Sequence, residues 1–223
     1  MKAIYDQNKK YETRIATVKM VIKNSKNEQR DRFFRSWKKY YDGNTSRGLI
    51  KFFRPATVKG MALLSHSHDA KNTDQWLYFP AFKSVKTLNS TERHDSFMGS
   101  DFTYSDISGR QIDEDTHTLI KKTDSRYFIE SIPNRDDAYY SKIRYIIDRN
   151  RMVVLKAIFY DLNNKKLKEL ENKSFQPFKD IYIAVDMVMK NQQTRGLTQL
   201  TVETLKVGDP INDAKLGLKG LKE

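Results

Sequence analysis

Side chains that alternate between two faces along most of the chain constrain this sequence more than any other feature. In "YETRIATVKMVIKN", Ile15, Thr17, Lys19 and Val21 oppose Arg14, Ala16, Val18, Met20 and Ile22. A period of two belongs to an extended strand, and the second set is the one expected to face a core. After the polar turn "NSKNEQ", the segment "RDRFFRSWKKYY" sets Phe33, Arg35, Trp37 and Lys39 against Phe34, Ser36, Lys38 and Tyr40, so neither face is purely apolar. Further strand segments are "RGLIKFF", "GMALLSHSH", "DQWLYFP", "FKSVKTL", "THTLIKKT", "RYFIESIP", "SKIRYIID", "MVVLKAIFYD", "KKLKELENKSF", "DIYIAVDMVMK" and "LTQLTVETLKV". Turns such as "DAKNT", "DRNR" and "DLNNKK" separate them, the pattern of an antiparallel meander. About a dozen strands with no long helix between them exclude a parallel α/β fold. No repeat, low-complexity tract or linker interrupts them, so residues 1–223 are expected to form one domain.

A chain of 223 residues buries roughly 70–75% of its unfolded surface, enough for a core and an internal cavity to coexist. Lys and Arg number 41 against 28 Asp and Glu, a formal charge of +13 that favours phosphate-bearing partners, nucleic acid or anionic lipid head groups alike. The absence of cysteine excludes thiol catalysis, disulfides, Cys-ligated metals and a lipidated cysteine within this sequence. No apolar run reaches the length of about 18 residues that a membrane-crossing helix needs, and "MKAIYDQNKK" lacks the apolar core of a secretory signal.

Chemistry-bearing residues are sparse. His66 and His68 share a strand face and, with Asp74, make the best metal candidate, but no third histidine is fixed in register and a polar hairpin face explains them better. His94, Asp95 and Ser96 have the residue types of a nucleophilic triad, yet adjacent residues cannot adopt its geometry and no Gly-x-Ser-x-Gly elbow is present. Asp101, Asp106, Asp113, Glu114 and Asp115 are read as turn caps rather than as an acid–base pair. No glycine-rich phosphate cradle occurs. The chain is therefore expected to be non-enzymatic, with no cofactor and no metal. The basic, aromatic segment "RDRFFRSWKKYY" also has the rings and cations that single-stranded nucleic acid needs. It equally suits a strand with one face in an apolar cavity, which is the reading adopted for Phe33 and Trp37. A basic single-stranded nucleic-acid-binding module is the alternative.

The segment from Asn89 to Asp113 breaks the strand rhythm: it is polar, glycine-punctuated and longer than a hairpin turn, as functional loops and lids are. Within it Phe97, Met98, Phe102 and Tyr104 can cover a cavity mouth, Gly99 permitting a sharp bend. Pro55 and Pro80 are expected to end strands, since proline cannot donate to a central ladder. Period-two apolar rows at Ile143, Tyr145 and Ile147, at Leu155, Ala157 and Phe159, and at Ile183, Val185, Met187 and Met189 are candidates for the cavity wall. The expected cavity-lining residues are thus Phe33, Trp37, Phe97, Met98, Phe102, Tyr104, Ile143, Tyr145, Leu155, Phe159, Val185 and Met187.

Three runs, "FFRPATVKGMALL", "DQWLYFPAFKSVKTL" and "RHDSFMGSDFTYSDI", carry Pro-Ala-x-Val-Lys-Gly, Trp-Leu-Tyr-x-Pro-Ala and Ser-Phe-Met-Gly-Ser-Asp-Phe-x-Tyr. Together they resemble the hallmark runs of the outer-membrane lipoprotein-sorting protein family, relatives of the periplasmic lipoprotein carrier of the Lol pathway. The resemblance extends through "SKIRYIIDRNRMVVLKAIFYDLNNKKLKEL" to the tail "DPINDAKLGLKGL", and departs from the family in its wealth of Lys and Asn and at Met61 and Ser65. It implies a mainly β fold: a strongly curved antiparallel sheet forming an incomplete barrel, covered by a few short helices and loops, with a cavity for acyl chains. It also implies a periplasmic carrier, its signal peptide removed ahead of Met1, with lipid or a lipidated protein as cargo and an inner-membrane exporter as a partner. The charge adds an anionic membrane surface as a partner, and nucleic acid is not expected.

Overall fold

The computed structural model describes residues 1–68 and 73–223; of the turn expected at "DAKNT", residues 69–72 lie outside the described residues. Helix α1 (Lys2–Lys9) leads into β1 (Thr13–Lys23), β2 (Gln29–Tyr40), β3 (Ser46–Arg54), β4 (Ala62–Ser67), β5 (Asp74–Phe79) and β6 (Ser84–Thr87). A long crossing segment with short 3-10 turns and α2 (Tyr104–Ser108) comes next. The chain then runs through β7 (Asp115–Lys122), β8 (Arg126–Pro133), β9 (Lys142–Asp148), β10 (Val153–Tyr160), β11 (Lys166–Phe178), β12 (Ile181–Asn191) and β13 (Leu197–Val207) to α3 (Leu218–Lys222). Pro55 and Pro80 stand just beyond β3 and β5, as expected of residues that cannot donate to a ladder.

The strands form one 13-stranded sheet in the order β6-β5-β4-β3-β2-β1-β13-β12-β11-β10-β9-β8-β7, antiparallel throughout. Its two edges, β6 and β7, are consecutive in the chain, so the sheet is an incomplete barrel and the segment between them must travel from one edge to the other. That segment lies in the concavity. Phe97, fully buried, packs edge-on against Tyr104 at 5.5 Å and tilted against Phe52 at 5.7 Å between ring centres. The concave face supplies Val18, Met20, Phe34, Leu63 and Met189 to the same cluster. Of the set read from the alternation as core-facing, Ala16, Val18, Met20 and Ile22 are buried there and Arg14 is only partly buried.

The bend at the tip of the segment uses two positive-φ residues in succession, Met98 (φ 54°) and Gly99 (φ 77°). Glycine adopts this region freely, whereas methionine is held in it by its surroundings. Of the β-bulges that interrupt the alternation in the second half of the sheet, two fall in the expected cavity rows. One skips Leu155, between Val154↔Ile147 and Lys156↔Ile146. The other skips Val185, between Ser174↔Asp186 and Phe175↔Ala184.

On the convex face the C-terminal segment covers β3 and β4. Leu216 and Leu221 are fully buried against Leu49, Ala62 and Leu64, with Trp37 and Trp76 at the margin. This close packing depends on Gly220, where an added Cβ would sit 2.1 Å from the carbonyl oxygen of Lys215. Backbone cannot yield as a flexible side chain can, so Gly220→Ala is expected to destabilise the protein by about 1–3 kcal/mol, the usual range for overpacking. Urea unfolding followed by circular dichroism measures this as a lower midpoint with an unchanged slope.

Candidate functional site

The crossing segment fills only one half of the concavity. The other half holds a cavity of about 470 Å³ between α1, the stretch from Asp106 to Asp115 and the strands on either side of the β1–β13 pairing. Its apolar wall comes from Met152, Val154, Ala157, Phe159, Phe175 and Met187, and Ile4 and Tyr5 of α1 close it from outside. Helix α1 is held by the burial of Ile4 against Ile129 and Ile147 and by the Tyr5 hydroxyl, which donates to Gln111 Oε1 at 2.7 Å. The cavity lining also includes Asn172, whose Nδ2 donates to the Val154 carbonyl at 2.7 Å while its Oδ1 is buried without a donor.

The floor beneath α2 is polar and ionic. Lys168, 2% exposed, donates to Asp106 Oδ2 at 2.5 Å and to the carbonyl of Asp101 at 3.1 Å. Asp106 also accepts from the Thr103 backbone N–H at 2.7 Å in a capping box, and its Oδ1 accepts from the Tyr140 hydroxyl at 2.9 Å. Burial, reinforced by Asp106, raises the Tyr140 phenol well above its ordinary pKa, so it stays a donor. A few residues away, Asp101 Oδ2 accepts from the Thr198 hydroxyl at 2.7 Å, and the absent side chain of Gly196 leaves room for that carboxylate. The two aspartates thus bolt the crossing segment to β11 and β13.

A second ionic pair closes the far end, where Arg110 Nε donates to Asp115 Oδ2 at 3.0 Å. His117 lies between the Ser131 hydroxyl, 2.6 Å from its Nδ1, and the Ile112 carbonyl, 3.0 Å from its Nε2. On the β1–β2 side, Lys38 donates to the Ser108 carbonyl at 3.1 Å and Arg14 to the Asn8 carbonyl at 2.9 Å. Desolvation, with help from Arg14, pushes the Lys38 ammonium down to about 8.

Of the residues expected from sequence, Tyr145, Phe159 and Met187 line the cavity. Phe97, Met98, Phe102, Tyr104 and Ile143 belong to the packed cluster beside it. The first four therefore plug the concavity from within rather than cover its mouth. Trp37 lies on the convex face, where Lys215 Nζ sits 4.3 Å from its ring centre. Phe33 is two periods of the alternation away on the same face, its ring 4.2 Å from the Arg54 guanidinium. Leu155 and Val185 fall at the two bulges and do not reach the cavity, because an extra residue reverses the facing of the side chains beyond it.

The sparse chemical candidates have local partners. His66 Nε2 is 2.7 Å from the Leu216 carbonyl, and His68 Nε2 is 2.9 Å from Asp74 Oδ2. Among the described residues no three His, Asp or Glu converge as metal ligands would. His94 stacks on Tyr139 with ring centres 5.1 Å apart, while the Ser96 hydroxyl donates to the Ser100 carbonyl. Glu114 caps the turn at Gln111.

A family model described as "Uncharacterized protein" matches residues 44–222. An outer membrane lipoprotein-sorting protein domain from Vibrio parahaemolyticus matches at 30% identity with a TM-score of 0.95, over 100% of this chain and 96% of that one. The chain belongs to the outer membrane lipoprotein-sorting protein family. The fold of this family member also recurs in a DUF1329 family protein from Desulfovibrio piger, with a TM-score of 0.88 at 24% identity over 99% of this chain and 98% of that one. It recurs again in a LolA superfamily protein from Nitrosomonas europaea, with a TM-score of 0.74 at 14% identity over 97% and 96% of the two chains. Among proteins of curated function none matches.

Two measurements test the electrostatics of this lipoprotein-sorting fold. Asp106→Asn and Lys168→Met each strand one partner of a buried pair and are expected to lower stability by roughly 3–5 kcal/mol. The double variant is expected to lose less than the sum, read from denaturant unfolding of all four proteins. Lys38 acts in the opposite sense. Its folded value of about 8 lies below its ordinary 10.5, so between the two the unfolded chain holds a proton that the folded protein lacks. Its penalty is fully present below pH 8 and fades as pH rises to 10.5. Wild type should therefore gain stability over that window relative to Lys38→Met, in pH-stepped unfolding curves.

Proposed function

We propose that this protein is a non-enzymatic periplasmic carrier that shelters acyl chain from water in its cavity, the cargo being a lipid or a lipidated protein. The observation that supports the reading most directly is the cavity itself: about 470 Å³ between sheet and α1, with an apolar wall of Val154, Phe159, Phe175 and Met187. Pockets of this size and lining suit a small apolar ligand. The Vibrio parahaemolyticus neighbour is described as an outer membrane lipoprotein-sorting protein domain, which supports the same role for this chain; a carrier in that role would work in the periplasm and receive cargo from an inner-membrane exporter. Burying an acyl chain gains roughly 0.8 kcal/mol per methylene relative to water, and a bilayer offers nearly the same, so transfer between them is close to neutral. The net charge of +13 then draws the loaded or empty carrier to anionic membrane surfaces. The nucleic-acid reading loses its main stacking platform, because the Trp37 ring is occupied by Lys215 and lies under the C-terminal segment.

Native mass spectrometry of gently purified protein should show a co-purifying acyl lipid. Met187→Arg places a charge on the apolar wall and is expected to reduce bound lipid by roughly tenfold or more, with the fold retained by circular dichroism. A protein that never carries lipid, or one whose lipid content ignores Met187→Arg, refutes the carrier reading.

A further inference from the structure

The cavity is not electrically balanced. Its two carboxylates are committed: Asp106 to Lys168, Tyr140 and the Thr103 N–H, and Asp115 to Arg110. Arg14 and Lys38 stand opposite each other in the β1–β2 register, and both line the cavity. Among the described residues neither forms an ion pair with a carboxylate. Lys38 has the Ser108 carbonyl at 3.1 Å, and Arg14 has the Asn8 carbonyl and Oδ1 at 2.9 and 3.3 Å, all neutral acceptors. Both cations also approach the Tyr40 ring, at 5.7 and 6.0 Å from its centre. Gly48, opposite Lys38 on the next strand, keeps that side clear, since a Cβ there would come within 3.3 Å of Lys38 Cδ. Lys38 retains partial exposure into the cavity, yet its ammonium is desolvated.

Two adjacent cations without a counter-charge are an unfavourable arrangement in this cavity, because the Lys38 ammonium is desolvated and Arg14 repels it. An oxyanion between them would remove both penalties and add charge-assisted hydrogen bonds. The same cavity has an apolar wall on the β10–β12 side. Its volume of about 470 Å³, at roughly 30 Å³ per water-sized group, holds on the order of fifteen such groups. That is room for one acyl chain, not for several.

We infer that the cavity takes a single-chain amphiphile with an anionic head, a carboxylate or a phosphate, the head held between Arg14 and Lys38 and the tail laid along Val154, Phe175 and Met187. This inference rests on the acyl-cavity reading above and adds the class of ligand.

Isothermal calorimetry of the full chain with three palmitoyl probes below their micelle concentrations tests it: palmitate, palmitoyl lysophosphatidate and the uncharged monopalmitoylglycerol. At least one anion is expected to bind about tenfold or more tighter than the glyceride, and the two anionic arms identify carboxylate or phosphate as the preferred head. In Lys38→Met and in Arg14→Gln that preference should collapse towards unity. Lys38→Met removes an unpaired desolvated charge and is the variant expected to keep its fold, with thermal melts checking both. Binding of all three probes with equal affinity, or a preference that survives both substitutions, overturns the anionic-head assignment while leaving the acyl cavity standing. Failure of all three to bind overturns both readings together.

Discussion

The Lys168–Asp106 pair is the contact on which the interior of this protein turns. A 13-stranded sheet whose edges are consecutive in the chain obliges the connecting segment to cross the concavity. That crossing brings backbone and polar side chains into a place that only an apolar filling would otherwise suit. Asp106 resolves the conflict with one carboxylate: it caps α2, takes the Tyr140 hydroxyl and neutralises a lysine projecting from β11. Asp106, Lys168 and Tyr140 meet one another's polar demands around α2, while Gln75, which donates to the Tyr104 carbonyl, keeps a buried Oε1 without a donor. Buried polar networks are favourable when complete and expensive when broken, so the segment occupies one position rather than several.

Because that position fills only half of the concave face, the remainder is left as a cavity instead of a core. The aromatic cluster around Phe97 and the ionic cluster around Lys168 together form a partition, and the space beyond it is lined by strands on one side and by α1 on the other. The division also explains the uneven chemistry of the interior. Asp106 and Asp115 are matched to Lys168 and Arg110, whereas among the described residues Arg14 and Lys38, on the far wall, have neutral carbonyls and the Tyr40 ring and no carboxylate.

Alternation made the sheet legible in the sequence, and the buried set Ala16, Val18, Met20 and Ile22 followed from parity alone. Parity also contained the overlooked signal: Arg14 shares the core-facing set in β1, and Lys38 shares the face of Phe34 in β2, so a cation on each buried face was visible as an anomaly. Leu155 and Val185 show where the method stops, since a bulge adds one residue that no side-chain pattern announces and reverses every residue after it. The aromatic residues from Phe97 to Tyr104 were recognisable as a group, but whether they roof the cavity or stop it from inside depends on the route between β6 and β7, a long-range property. Helix α1 carries one buried side chain, Ile4, too little apolar surface to stand out from a polar terminus.

The sheet order has a mechanical implication. Strands β1 to β6 fan outward in one direction and β13 to β7 in the other, so the molecule is two wings sewn along one ladder, from Arg14↔Val207 to Lys23↔Leu197. Apart from that stitching and the C-terminal segment, which passes from β13 over the convex face onto β3 and β4, the wings communicate through whatever lies in the trough between them. The crossing segment is then more than a filler: with Phe97 leaning on β2 and β3 and Asp106 locked to β11, it acts as a strut that sets how far the wings stand apart. The width of the trough, and with it the girth of anything the trough can hold, is fixed by a brace rather than by closure of a barrel.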